Sequence, residues 1–334
     1  MVKGVPSLRH SFSPPRAEAE FWLKLLAPIA LLGALVVLPF AGIKSYQLSI
    51  MTEILIFSII AMGLNLLVGY TGLVSLGHGA FFGVAAYATG LTAKYLSPEI
   101  WLTFSISMLV AGSLGVVIGW LALKMAGFYF LMVTFAFTQI IYCVADRWQW
   151  LTGGSDGLRI PPARFLGDPI FTSPTMLYYV CLGVFLFAWL TARLIVRSPF
   201  GQVLVGIREN PKRMGPIGYH VRRYKIAVFV LAALFAGLSG TLNAQFNLFV
   251  SPADVGWLFS GALLIMVILG GTGTLNGPIL GVAVYLYFQN WLSSYTDYWM
   301  FVIGALFIAF ITGARNGLIG LGAQVWKHMW NKGT

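Results

Sequence analysis

Side chains that could do chemistry are scarce in this sequence, and they gather in three places. The first is the stretch Arg197 to Lys225, where Gly206, Arg208, Glu209, Asn210, Lys212 and Arg213 are followed by Gly218 and Tyr219. Ser198 before Pro199 and Asn210 before Pro211 each place an N-cap residue ahead of proline at the first helical position. The spacing predicts two short helices, ending near Asn210 and near Gly215, that present basic residues on a rigid protrusion. Binding of anionic lipid needs no caps; a shaped protrusion suits docking into a groove on a partner.

The second place is Thr152-Gly153-Gly154-Ser155-Asp156. Paired glycines supply positive φ, and Ser155 or Asp156 can close a local turn. A capped turn covering one end of the molecule is one expectation, and docking of an outer partner is the other. The third place is a repeat. Residues Gly79 to Tyr87 match Gly277 to Tyr285 at five of nine positions, and a Gly-x-Thr-Gly precedes each, at Gly69–Gly72 and Gly270–Gly273. Parallel repeats interrupted by glycine are how the halves of transporters reveal a solute path. Asn65, Gly72, Ser75, His78, Gly79, Gly83, Gln139, Gly271, Gly273 and Gly277 are the candidates to line one. Close helix packing through Gly79/Gly83, Gly115/Gly119 and Gly277/Gly281 accounts for the same glycines and is compatible with a path. His78 is expected to cap or pack, and Asn65 and Gln139 to hydrogen-bond across helices.

Several chemistries are missing. No Gly-x-x-x-x-Gly-Lys-Ser/Thr occurs, so no ATP site is expected on this chain. The four histidines and two cysteines lack metal-ligand spacing, so no metal is expected, and Cys143 and Cys181 lie in apolar runs as small hydrophobes. Few ionisable residues interrupt those runs, which argues against a proton-coupled carrier. Energy would then come from another chain; a self-sufficient secondary carrier is the rival reading.

The elements that must position these residues follow from composition. Of 334 residues, 58% are hydrophobic and 9% charged, against roughly 25% charged in soluble domains. This implies an all-α integral membrane protein and excludes a soluble enzyme. Ten windows are apolar enough to suggest spans: Leu25–Ile43, Leu48–Val68, Leu73–Leu91, Ile100–Leu123, Phe128–Val144, Met176–Ile195, Ile226–Leu248, Trp257–Gly270, Pro278–Leu292 and Trp299–Ile311. With both termini cytoplasmic, sixteen of the 21 basic residues fall inside, as the positive-inside rule requires. The net charge of +11 is thereby a topology signal and calls for no nucleic acid. The expected organisation is a cytoplasmic tail over 1–20, a membrane domain over 21–314 with an outer loop 145–175 and an inner loop 197–225, and a cytoplasmic tail over 315–334.

Taken together, Met62 to Gly83, Leu151 to Leu158, Ile207 to Asn210, Gly218-Tyr219, Arg223 to Lys225 and Met266 to Thr274 resemble, in family order, the LivM-type permeases of bacterial branched-chain amino-acid ABC importers. The resemblance implies a multi-pass subunit of the bacterial inner membrane. Its implied partners are a second homologous permease chain, two cytoplasmic ATPases that carry ATP and Mg, and an extracytoplasmic solute-binding protein. It further implies that Arg208 to Asn210 belong to the loop docked on the ATPase, and that the glycine turns line an alternating-access path for a branched-chain or similar neutral amino acid. Relatives of this kind also carry urea, short amides and aromatic acids. Two departures stand out: Met214-Gly-Pro216 replaces a small, alanine-rich helical stretch, so a shorter second coupling helix is expected, and Ala262 replaces an acidic residue.

Overall fold

The computed structural model describes residues 39, 44–165, 168–169, 173–313, 317–318 and 320. The chain divides into residues 1–48 and 49–334; the contacts below lie within the second unit. The expected first span and both tails fall outside the described residues, apart from Pro39 and residues 317, 318 and 320.

Long apolar runs become helices because a helix satisfies its own backbone polar groups where water cannot. Among the described residues five are long and apolar enough to cross a membrane: α1 (Ser45–Thr71), α3 (Ile100–Ala122), α4 (Phe128–Arg147), α6 (Pro174–Arg197) and α9 (Val221–Asn247). Between them lie α2 (His78–Tyr95), α5 (Gln149–Thr152), α7 (Pro199–Glu209) and α8 (Pro211–Met214). After them come α10 (Trp257–Gly270), α11 (Gly277–Ser293) and α12 (Trp299–Gly313).

The helices differ in length. The last three helices form where the apolar windows lie, but α10 has 14 residues and covers about 21 Å of a hydrocarbon core about 30 Å thick. The expected third span starts five residues late, since Leu73–Gly77 is irregular and the helix begins only at His78. Hydropathy counts Leu73, Val74 and Leu76 as span, whereas the chain has already left its helix at Gly72.

The core is built around α9, which packs most extensively on α2 and α3. Small residues let the backbones approach: Gly115 faces Ala233, and Gly119 meets the ring of Phe229. Some buried hydroxyls are satisfied within this core, Ser239 donating to the Ile56 carbonyl and the Thr89 and Ser107 hydroxyls bonding each other at 2.8 Å, whereas Ser58 Oγ and Tyr87 OH bond no described residue. By contrast α4 and α6 turn most of their side chains outward, as lipid-facing helices do.

The connections separate into two clusters. One holds short strands: β1 (Leu158–Arg159) pairs antiparallel with β4 (Phe249–Val250), and β2 (Arg164–Phe165) with β3 (Asp168–Pro169). Arg164 N–H donates to the Pro98 carbonyl and Ala163 N–H to Gln245 Oε1, which ties the loop after α5 to the loop after α2 and to the last turn of α9. The other cluster holds the two Gly-x-Thr-Gly turns and α7.

Candidate functional site

The two glycine turns share one backbone feature. At the end of α1, Gly72 takes φ 70° and turns the chain out; past the end of α10, the matching Gly273 takes φ 80°. Both values lie in the left-handed region that glycine enters without a Cβ penalty. The likeness is confined to that glycine: Tyr70 is still helical in α1, whereas its counterpart Gly271 has left α10 with φ 111°.

The turns also touch. Asn65, buried in α1, accepts a hydrogen bond from Gly273 N–H at 3.0 Å through Oδ1 and donates Nδ2 to the Thr274 carbonyl at 2.9 Å. One amide thus satisfies a donor and an acceptor of irregular backbone, as buried polar groups require. Gly69 lies inside this contact, and a Cβ there would overlap Asn65 Oδ1 and the Gly273 backbone. Thr274 Oγ1 donates to the Gly271 carbonyl at 3.0 Å, and Asn276 Oδ1 accepts from Trp189 Nε1 at 3.1 Å, anchoring the second turn to α6.

Arg208, at the end of α7, reaches the same spot and donates Nη1 to the Gly69 carbonyl. That carbonyl has no helical donor of its own, because Leu73 N–H, its i+4 partner, bonds Leu67 O at 3.1 Å instead. A Cβ on Gly273 would lie 3.1 Å from Arg208 Nη1. The side chain expected to reach outward to a partner is folded back onto the turns.

The rest of the protrusion matches its sequence reading. Ser198 Oγ accepts from Gly201 N–H, and Asn210 Oδ1 accepts from the N–H groups of Lys212 and Arg213, each at 3.2 Å. Helix α8 is four residues long and ends at Met214, next to the Gly215 where the sequence places its end. Met214 folds it back against Gly206, leaving Glu209, Lys212 and Arg213 exposed; Arg208 is exposed along much of its length too, although its guanidinium reaches Gly69. Gly218 (φ 100°) then returns the chain, and Tyr219 packs edge-on against Tyr224, which stacks on Phe200.

Residues 46–311 match the family model described as the branched-chain amino acid transport system permease component. The chain belongs to this permease family. It is 29% identical to the high-affinity branched-chain amino acid transport system permease protein LivM of Escherichia coli K12, over 95% of this chain and 80% of the relative. It is 23% identical to LivH of Salmonella typhimurium, over 79% and 91% of the two chains, and 24% identical to the autoinducer 2 import system permease protein LsrC of Photorhabdus laumondii, over 77% of each. No solved structure matches it. A permease of this LivM type is a transport subunit, in keeping with the sequence reading.

In the permease, the irregular link Leu73–Gly77 is held by hydroxyls. Thr134 Oγ1 accepts from Leu76 N–H at 3.2 Å, Thr138 Oγ1 donates to Leu76 O at 3.0 Å, and Ser75 Oγ accepts from Gly77 N–H at 3.1 Å. Sequence reasoning missed Thr134 and Thr138, although their i, i+4 spacing places both on one face of α4. It also missed Ser260, whose hydroxyl accepts from Gly79 N–H at 2.9 Å. Gly79 and Gly83 lie against Val255, and Gly277 and Gly281 against the end of α10, so these pairs are packing sites. His78 packs too, wholly buried and edge-on to Phe81 and Phe229. Gln139 departs from expectation: its Oε1 bonds no described residue, and the side chain lines an open groove of about 640 Å³ on α4 with Cys143 and Arg147, away from the turns. Cys143 is exposed there, whereas Cys181 is buried as expected. Among the described residues no group of three His, Cys, Asp or Glu could hold a metal.

At the strand cluster, Gly153 (φ 80°) and Gly154 (φ 63°) do supply the positive φ. The turn is closed by Thr152, however, whose buried hydroxyl lies 2.7 Å from the Ala145 carbonyl and accepts from Gly154 N–H at 3.3 Å. Ser155 and Asp156 are exposed. Nearby, burial raises the Asp254 carboxyl above the ordinary carboxylate range, opposed by hydrogen bonds from the Ser251 N–H and hydroxyl.

Proposed function

We propose that this permease is the membrane subunit of an ATP-driven importer in the bacterial inner membrane, moving branched-chain or similar neutral amino acids inward by alternating access. Its partners are a second homologous permease chain, two cytoplasmic ATPases supplying ATP and Mg, and an extracytoplasmic solute-binding protein. The turn cluster faces the cytoplasm, the strand cluster faces outward, and ten membrane segments, some of them short, place both termini inside. Residues 1–20 and 315–334 are cytoplasmic tails. The ATPase docks on α7 and α8 through Glu209, Asn210, Lys212 and Arg213, beside Gly206, Gly218 and Tyr219, and the solute-binding protein meets Thr152 to Asp156. The path runs past Asn65, Gly72, Ser75, Gly79, Gly83, Gly271, Gly273 and Gly277. His78 supports it from the core, and Gln139 has no part in it.

The observation that carries this reading is the rigid, doubly capped protrusion rooted on the turns that join the two repeats. ATP-driven closure of the ATPases would move that lever and rock the repeats. The test is purification with the intact loop, followed by reconstitution in liposomes. The ATPases are expected to co-elute, and uptake of labelled leucine to require ATP and the binding protein. Reversing Lys212 and Arg213 to Glu is expected to cut ATPase recruitment at least tenfold. Solute concentrated by the chain alone, or recruitment indifferent to the reversal, would overturn the reading.

A further inference from the structure

Helices α1 and α10 both end at the glycine junction. The C-terminus of a helix carries about half a negative charge on carbonyls that lack partners, so two such ends brought together repel unless a cation lies between them. Arg208 lies at the end of α1 and against Gly273, three residues past the end of α10. Its Nη1 bonds the orphan Gly69 carbonyl of α1, and its guanidinium lies against Gly273 of the second turn. Asn65 completes the join by bonding Gly273 and Thr274 on the far side. A planar, permanently charged fork suits this place better than a lysine, because it can address two backbone segments at once. The three segments come from the two repeats and the lever, which lie about 140 and 210 residues from one another along the chain.

We propose that Arg208, with Asn65, is an internal latch: it holds the two repeat turns together at the cytoplasmic end while α7 is seated and releases them when α7 is drawn away. This rests on the importer reading above. Arg208 is thus a positioning residue that converts movement of the protrusion into separation of the turns, while Lys212 and Arg213 remain outside for docking.

A helix cap alone would contribute stability and leave coupling untouched, so the measurement is solute moved per ATP hydrolysed. The probe is the reconstituted complex with labelled leucine, comparing wild type, Arg208→Gln and Asn65→Leu. Each variant is expected to lower that ratio at least fivefold while the ATPases still co-elute and hydrolyse ATP. The double variant is expected to fall no further than the worse single one, because both break one join. A smaller fall in the single variants, a further fall in the double variant, or loss of ATPase co-elution in Arg208→Gln would overturn the latch; the last outcome would make Arg208 a docking residue. If Arg208→Gln yields no folded complex, Arg208→Lys takes its place, keeping the charge but not the fork. A fall of at least twofold is then expected, and a smaller one overturns the proposal. Wild type lacking ATP-dependent uptake would sink the importer reading itself, an outcome distinct from a working wild type with normally coupled variants.

Discussion

After α1 the chain leaves its helix through Gly72, and past α10 through Gly273, with φ within ten degrees of each other. What holds the two turns differs. The first runs into Leu73–Gly77, whose polar groups are met by Thr134 and Thr138 of α4 and by Ser75 within the link. The second is held by Asn65 of α1 and Trp189 of α6. The two similar segments share a glycine turn but differ before it, Tyr70 being helical and Gly271 lying past its helix at φ 111°, and they have different neighbours. The first turn is built into the core, whereas the second is pinned by two side chains that could let go.

The largest effect is expected where the two turns meet. Gly69→Ala places a methyl group on Asn65 Oδ1 and the Gly273 backbone, and neither can yield without opening the join. Overpacking of this kind costs about 3 kcal/mol or more. It should appear as loss of the monodisperse peak in detergent size-exclusion chromatography. A normal peak and melting temperature would mean that the turns are not in contact.

Next come the glycines that make the turns. Alanine at either position meets a left-handed penalty of about 1 kcal/mol. At Gly72 the new Cβ would meet only Arg208 Cγ at 3.3 Å, the middle of a flexible side chain, whereas at Gly273 it would meet Arg208 Nη1 at 3.1 Å and the Gly69 carbonyl at 3.3 Å. Gly273→Ala is therefore expected to cost about 2 kcal/mol and Gly72→Ala about 1 kcal/mol, read as the difference in thermal midpoint. The reverse order would show that the first turn is the tighter one.

What the sequence disclosed about these regions follows the range of the interaction. The caps at Ser198 and Asn210 and the length of α8 were legible because a cap and its target lie within three residues. The positive φ of Gly153 and Gly154 was legible because paired glycines beside Ser155 and Asp156 mark a local turn. The partner of Asn65 lies 208 residues away, and no local pattern announces it. Arg208 looked like its neighbours Lys212 and Arg213, since charge gives no direction; only the Leu73 to Leu67 bond, which strands the Gly69 carbonyl, explains why it folds back. Hydropathy located α10, α11 and α12 to within two residues at each end, but it ran Leu73–Gly77 into α2, because apolar content does not report where a helix starts.

A smaller effect separates the two ways of holding irregular backbone. Thr134→Val removes the acceptor for Leu76 N–H inside the protein and should cost about 1–2 kcal/mol. Thr138→Val removes a donor to a carbonyl and should cost less, since a strong N–H left unmet is the rarer and costlier defect. Hydrogen exchange at Leu76 is the direct readout: faster exchange is expected in Thr134→Val, with little change in Thr138→Val.

The smallest effect is expected in the strand cluster, where a local turn contrasts with the long-range joins of the other end. Ser155 and Asp156 are exposed and the turn is closed by buried Thr152, so Ser155→Ala and Asp156→Ala should each change stability by no more than about 0.5 kcal/mol. Thr152→Val, nearly isosteric, leaves Gly154 N–H without its acceptor and is the control that should shift the melt measurably. Because Ser155 and Asp156 contribute so little to the fold, any loss of binding-protein-dependent uptake in their alanine variants would report contact with that partner. If both variants instead melted several degrees early, their side chains would be closing the turn after all, and Thr152 would be secondary to them.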